Sequence, residues 1–312
     1  MKLHVAKICV LALCVILTAC DSTQFFYNRA NWLLSYQADR YFDLNKIQTA
    51  SVKQAINHWL SWHRRTQLTC YAELIGQFET RARTNLTSAD LTWLEAELKG
   101  HYETVITSAA APAAHVLSSL DTDQINHLEK RLAKDHRKLA RQLRFSHERR
   151  LHRRAKKTVA GVEKWFGNLS RAQVAWIKKR SKALPDTYAP WLQYRKQRDS
   201  TLIELLRENV DAKTIAHALK PMWITMELPS KSNDDTANKT EILMAEMVSQ
   251  SKALAVDFYG LASTEQKSHF WHRLHDYRGD FLQLASVAPS GASCEMPTIL
   301  LNEAQTGLSA SR

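Results

Sequence analysis

Five short stretches of the chain share one shape: Asn45-Lys-Ile-Gln48, Thr87-Ser-Ala-Asp90, Asp121-Thr-Asp-Gln124, Ser170-Arg-Ala-Gln173 and Ser263-Thr-Glu-Gln266. In each, a short oxygen-bearing side chain stands three residues before a Gln or Asp. This is capping-box spacing: the first side chain accepts from the N3 amide, and the third reaches back to the amide of the cap. Leu86 with Leu91, Leu120 with Ile125, and Leu169 with Val174 add the apolar pairs of a hydrophobic staple. Each box fixes a helix start. Their uneven spacing excludes a solenoid repeat.

Between the boxes, apolar residues recur at intervals of three and four, as in Leu33, Leu34, Tyr36 and Tyr41, in Val52, Ile56, Trp59 and Leu60, and in Ile242, Leu243 and Met247. No clear period-2 run suggests a strand, and Gly and Pro number only 8 and 7. The expected fold is all-α, a multi-helix bundle with one long basic helix. Helices are expected at 24–42, 46–82, 88–118 with a kink at Pro112, 122–165, 171–181, 188–208, 211–227, 240–258 and 264–286. Residues 229–238 read as a polar loop.

The helix expected at 122–165 carries most of the charge. Residues 131–157 hold twelve Lys or Arg against Asp135 and Glu148, a net charge of +10. The whole chain is +12, and removal of residues 1–19 with their two lysines would leave +10. Outside this segment the charges nearly balance. The apolar stripe there is narrow (Leu132, Leu139, Leu143, Leu151), so such a helix packs along one seam and shows its cations to water or to an anionic partner. The expected contact residues are Arg141, Arg144, Arg149, Arg150, Arg153, Arg154, Lys156 and Lys157.

A basic run of this kind suggests nucleic acid, but the N-terminus argues otherwise. Lys2 and Lys7 precede an apolar stretch from Ile8 to Ala19. Twelve helical residues rise only ~18 Å, short of the ~30 Å hydrocarbon core. The stretch reads as the h-region of an export signal. It ends in Leu17-Thr18-Ala19-Cys20, which resembles the lipobox of bacterial lipoproteins. That resemblance implies cleavage before Cys20, a thioether-linked diacylglycerol on its sulfur and acylation of the new N-terminus. Several acyl chains suffice for stable anchoring. The alternative is an ordinary signal cut nearby, releasing a soluble periplasmic protein. Asp21, next to the cysteine, leans toward the inner membrane. No nucleic-acid partner is expected outside the cytoplasm. The expected segments are a signal peptide at 1–19, a helical lipoprotein domain at 20–286 and a loosely ordered tail at 287–312.

Cys9 and Cys14 leave with the signal and Cys20 carries lipid, so Cys70 and Cys294 remain. An oxidising compartment permits a bond between them, with two unpaired thiols as the alternative.

Phe26-Tyr-Asn-Arg-Ala-Asn-Trp-Leu-Leu34, Asp39-Arg-Tyr-Phe-Asp-Leu44, Trp62-His-Arg-Arg65, Leu169-Ser-Arg-Ala-Gln173 and Trp191-Leu-Gln-Tyr-Arg195 together resemble a family of uncharacterised Gram-negative lipoproteins carrying a helical domain of unknown function. The resemblance spans roughly residues 20–285. It implies a lipid-anchored helical envelope protein and supplies no catalytic residue.

Active-site motifs are sparse. His147 and His152 miss zincin spacing, since i and i+5 lie ~140° apart on a helix. His269, His272 and His275 spread over an arc and, with Asp276 or Glu265, form the one alternative site: that of an envelope hydrolase or metal-dependent enzyme. A half-exposed helix face explains the same residues. No G-x-S-x-G, phosphate-cradling loop or dinucleotide fingerprint is present, so no cofactor, structural metal or catalytic residue is expected. Trp62, Trp176, Trp191 and Trp271 stand beside cations and read as packing anchors ahead of an interfacial belt.

The expected function is structural or interactive. A lipid-anchored protein of the cell membrane would face the periplasm, its basic segment touching anionic lipid, lipid A, peptidoglycan or an acidic envelope protein. Radiolabelled palmitate is expected to mark the wild-type product and not a Cys20→Ala variant. Equal labelling of both would remove the anchor.

Overall fold

The computed structural model describes residues 20–224, 235–286 and Cys294. Among these residues the chain forms α1 (Cys20–Asn28), α2 (Ala30–Phe42), α3 (Lys46–Ala82), α4 (Ser88–Leu117), α5 (Thr122–Leu143), α6 (His147–Phe166), α7 (Arg171–Ala183), α8 (Tyr188–Arg207), α9 (Ala212–Ile224), α10 (Asp235–Leu261) and α11 (Thr264–Ser286). The fold is an all-α multi-helix bundle. The segment expected to be a signal peptide, 1–19, and the expected tail, 287–312, Cys294 apart, lie outside the described residues.

All five boxes form. Asn45, Thr87, Asp121 and Ser170 each cap their helix and receive the return bond from N3. Ser263 does the same, with Ser263 N donating to Gln266 Oε1 at 2.9 Å and Gln266 N to Ser263 Oγ at 3.2 Å. Each staple pair shares an apolar cluster: Leu86 with Leu91, Leu120 with Ile125, Leu169 with Val174.

The boxes also join in pairs. Gln48 Nε2 donates to Ser119 O at 2.9 Å and to Gln124 Oε1 at 3.0 Å, while Gln124 Nε2 donates to Asp43 O at 2.8 Å and to Gln48 Oε1 at 2.7 Å. The pattern repeats elsewhere. Gln173 Nε2 donates to Leu261 O at 3.1 Å and Gln266 Oε1 at 2.8 Å, and Gln266 Nε2 to Asn168 O at 2.7 Å and Gln173 Oε1 at 3.1 Å. In both clasps each glutamine reaches the carbonyl five residues before its partner. Each amide oxygen takes its own cap N–H and the partner's amide, and each amide nitrogen uses both hydrogens, so neither group is left unsatisfied. The Thr87 box stands alone because Asp90 at N3 has no amide to donate.

Packing follows the clasps. In the first, α2 leads into one arm and lies on α5, which leaves the other; α4 leads into that second arm and lies on α3. In the second, α6 lies on α11 and α10 on α7 by the same rule. The two units meet where α3 lies along α11, with Leu68, Ala72, Tyr277 and Phe281 buried between them. Cys70, 2 % exposed on α3, is bonded to Cys294.

Three expectations need correction. The long basic helix is two helices. α5 ends at Leu143, and Ser146 restarts the chain by accepting from Arg149 N at 3.3 Å. Ser is a strong N-cap and competes with helix continuation wherever its oxygen finds an N3 amide. The first helix is likewise divided at Arg29, whose amide bonds Phe26 O in a tighter turn. Finally, Asp235–Asn238 open α10, where a loop is expected from composition.

Gln124→Glu keeps the oxygen that serves the cap but turns the donor toward Gln48 and Asp43 into an acceptor. The expected cost is about 1–3 kcal/mol in urea unfolding, the penalty for buried polar groups left unpaired. A change below about 0.5 kcal/mol would show that the box alone matters and the clasp does not.

Candidate functional site

The basic segment folds as the end of α5, the turn Arg144-Phe145-Ser146 and the first half of α6. The eight cations expected to make contact fall into two groups. Arg141, Arg144, Arg149, Arg153, Lys156 and Lys157 are exposed. Among the described residues none of them makes an ion pair. Arg149 and Arg153 lie over the Phe145 ring at 4.5 and 4.7 Å, so one half-buried phenylalanine gathers two guanidiniums into one patch.

Arg150 and Arg154 point inward. Arg150 Nε donates to Asp186 Oδ2 at 3.0 Å and its Nη1 to Phe145 O at 2.8 Å, which ties the turn to the α7–α8 connection. Arg154 spans the end of α7: its guanidinium donates to Ser181 O at 3.1 Å, Pro185 O at 2.7 Å and Leu184 O at 2.5 Å. The last carbonyls of a helix have no partner inside it, and a cation placed on them also meets the negative end of the dipole. Burial alone would raise the Asp186 carboxyl, but bonds from Arg150, the Tyr188 amide and His147 hold it below the usual carboxylate range. Six of the eight expected contact residues therefore share an open surface, and two are internal fasteners.

What holds this surface in place is a buried polar network that the sequence did not disclose. On α5, His136 Nε2 lies 2.8 Å from Asp199 Oδ2 on α8. Asp199 also takes Arg198 Nε at 2.9 Å, and Arg195 Nε lies 3.7 Å away. An ionised carboxylate only accepts, so His136 donates. The Arg198 guanidinium sits 4.6 Å from the Trp223 ring of α9. One residue earlier on α5, Asp135 accepts from Tyr41 of α2. Burial on its own would raise the Asp199 carboxyl, but His136, Arg198 and Arg195 together hold it low.

A second unforeseen cluster lies under α1. His63 Nδ1 is 2.9 Å from Tyr27 OH and His63 Nε2 is 3.2 Å from Tyr71 OH. Burial, with Arg64 adding to it, pushes the imidazole down to about 4, so it bridges the two phenols as a neutral ring. His63 and Tyr71 stand eight residues apart on α3 and Tyr27 comes from α1, 36 residues before His63, so no local motif marks the three together.

The histidines weighed as a metal site are not brought together. His269 Nδ1 bonds Trp165 O at 2.9 Å, while His272 is exposed and lies 3.8 Å from Asp276. Among the described residues no group of three or more His, Cys, Asp or Glu is placed to hold a metal ion. A groove of about 1000 Å³ runs beside His269 over the second clasp, where Gln173 and Gln266 already bond each other. Trp191 and Trp271 are buried packing anchors. Cys20 opens α1. No described helix is long and apolar enough to cross a membrane.

Fold and site together define an all-α bundle with a strongly basic exposed turn and no assembled metal site among the described residues. The chain belongs to DUF6279, a family of unknown function, which it matches over residues 40–224. That span takes in the end of α2 and all of α3 to α9, including the basic turn. No curated protein and no solved structure matches the chain.

Asp199→Asn removes the buried carboxylate charge that Arg195 and Arg198 face and is expected to cost about 3–5 kcal/mol. The pH sign follows from the lowered carboxyl. Stabilisation by Asp199 is present above the unfolded value of about 3.9 and is lost as pH falls through the lower folded value. Wild-type unfolding free energy should therefore drop more steeply below about pH 4 than that of the variant. Parallel pH profiles in urea titrations would contradict this.

Proposed function

We propose that this chain is a lipid-anchored, periplasm-facing protein of the cell envelope with a structural or interaction role, held by acyl chains on Cys20 and contacting an anionic envelope surface through its basic turn. The anchor rests on the lipobox at Leu17–Cys20 and the cationic, short apolar segment before it. Asp21 favours the inner membrane.

The observation that carries the electrostatic contact is the open group of six cations, Arg141, Arg144, Arg149, Arg153, Lys156 and Lys157, on one helix–turn–helix corner. Concentrated like charge repels itself, and of the acids nearby Asp186 is taken by Arg150, Asp199 by Arg198 and Asp135 by Tyr41, which leaves the exposed Glu148 against six cations. A cation near an anionic leaflet contributes up to about 1 kcal/mol. Three or four facing it would orient a tethered molecule firmly.

The test uses the mature chain with Cys20→Ser, so that the anchor plays no part. Binding to phosphatidylglycerol vesicles is measured against phosphatidylcholine vesicles. Reversing Arg141, Arg144, Arg149 and Arg153 to Glu, which spares the internal Arg150 and Arg154, is expected to weaken the phosphatidylglycerol preference at least about ten-fold. Salt at about 0.5 M, where screening acts within about 4 Å, is expected to do the same. A preference that survives both would overturn the proposal.

A further inference from the structure

The first helices carry apolar residues on both sides. Inward, α1 is pinned to the bundle: Tyr27 is buried against His63, Gln24 Nε2 donates to Asp280 Oδ1 at 3.0 Å and Gln283 Oε1 at 2.7 Å, and Arg64 donates to Asn28 Oδ1 at 2.9 Å. Outward, Phe25, Phe26, Trp32, Leu33 and Tyr36 are all exposed, Trp32 at 68 %. The division at Arg29 barely interrupts the helical path, because Arg29 N bonds Phe26 O and Leu33 N bonds Arg29 O, both at 3.1 Å. At ~100° per residue, positions 25, 26, 29, 32, 33 and 36 fall within an arc of about 120°. They form one stripe about 16 Å long.

The stripe is ordered within itself. Trp32 and Tyr36 stack with centroids 5.7 Å apart and planes at 10°. The Arg29 guanidinium lies 3.5 Å over Phe25, so the one charge inside the stripe is laid on an aromatic face. Because the inner face is fastened by side-chain bonds, the helix cannot roll to bury the stripe in its own core. Trp, Tyr and Phe with an accompanying Arg is the composition of the membrane–water interface, where an amphipathic ring sits at headgroup level.

We infer that the outer face of α1–α2 is a membrane seat: the stripe Phe25, Phe26, Trp32, Leu33 and Tyr36 lies in the interface of the bilayer that holds the acyl chains of Cys20. The inference rests on the anchor proposed above. Its occupant is chosen by position. Phe25 is five residues after Cys20, a helical rise of ~8 Å, comparable to the depth of one headgroup layer. A surface that begins so close to the diacylglycerol is held against the lipid. The helix would lie along the membrane with its axis near the surface, so the bundle has one fixed orientation instead of swinging on a tether.

The test makes the seat independent of natural lipidation. The mature chain, residues 20–312 with Cys20→Ser and an N-terminal hexahistidine, is tethered to phosphatidylcholine vesicles containing a nickel-chelating lipid. An environment-sensitive fluorophore is placed at Leu33→Cys, and in a second sample at Lys196→Cys on α8, an exposed site on a helix that packs on α5, α9 and α10. Several-fold brightening at position 33 on tethering, quenched by lipid brominated in its acyl chains and absent at position 196, is the expected result. Phe25→Ser with Trp32→Ser and Tyr36→Ser should abolish the brightening while leaving the helical melt unchanged. A fluorophore at 33 that stays dim on the vesicle overturns the seat. So does one that is already bright before tethering, since another part of the chain or a second copy then covers the stripe. Palmitate labelling decides the anchor separately: a product that takes no palmitate yet brightens on vesicles would lose the anchor and keep the seat.

Discussion

Four glutamine amides bind together helix ends that lie 76 and 93 residues apart in the chain. A capping box by itself is a local device: it satisfies two of the orphan donors at a helix start and says nothing about neighbours. Here the N3 side chain is Gln, whose amide nitrogen remains free after the oxygen has served the cap. That nitrogen closes a reciprocal pair with an identical box. Two helix starts and the two carbonyls that precede them are then fixed in one hydrogen-bonded unit, twice over. Asp90 marks the contrast, because a carboxylate completes the box with Thr87 and has nothing left to give.

The surfaces of interest hang from these units. The first clasp fixes the end of α2 against the start of α5, so it sets which way the Trp32–Tyr36 stack faces. The second fixes the end of α6 against the start of α11, and α1 lies on α11. Between them, Asp199 ties α5 to α8, and Arg154 closes the end of α7. The basic turn is therefore a rigid corner. Its arginines serve two purposes that the sequence does not separate: Arg150 and Arg154 consume hydrogen-bond acceptors inside the protein, while Arg149 and Arg153 share the Phe145 face and leave their charge to the solvent side.

Helix starts were legible in the sequence because capping boxes are local, and all five form where the spacing puts them. The fold class was legible for the same reason. The restart at Ser146 was missed because its N3 residue is Arg149, so only half of the box signature exists, and a run of good helix formers hides the rest. The clasps were not legible, since nothing in cap-x-x-Gln says which other box will meet it. Arg150 and Arg154 look like their neighbours in any count of charge, and only tertiary contact sorts them. The outward turn of Leu33 and Tyr36 was hidden by periodicity itself: a recurrence of three and four identifies a helix but not which of two apolar faces meets the core.

The clasp is tested most directly by a double-mutant cycle at the second unit, where Gln173 and Gln266 lie far apart in the chain and touch only there. Each is replaced by Met, singly and together, and unfolding free energy is measured in urea. The account predicts that the double variant loses less than the two single losses combined, by roughly 1–2 kcal/mol, as expected for residues in one hydrogen-bonded network. Losses that add to within about 0.3–0.5 kcal/mol would mean the two boxes act alone, and would contradict it.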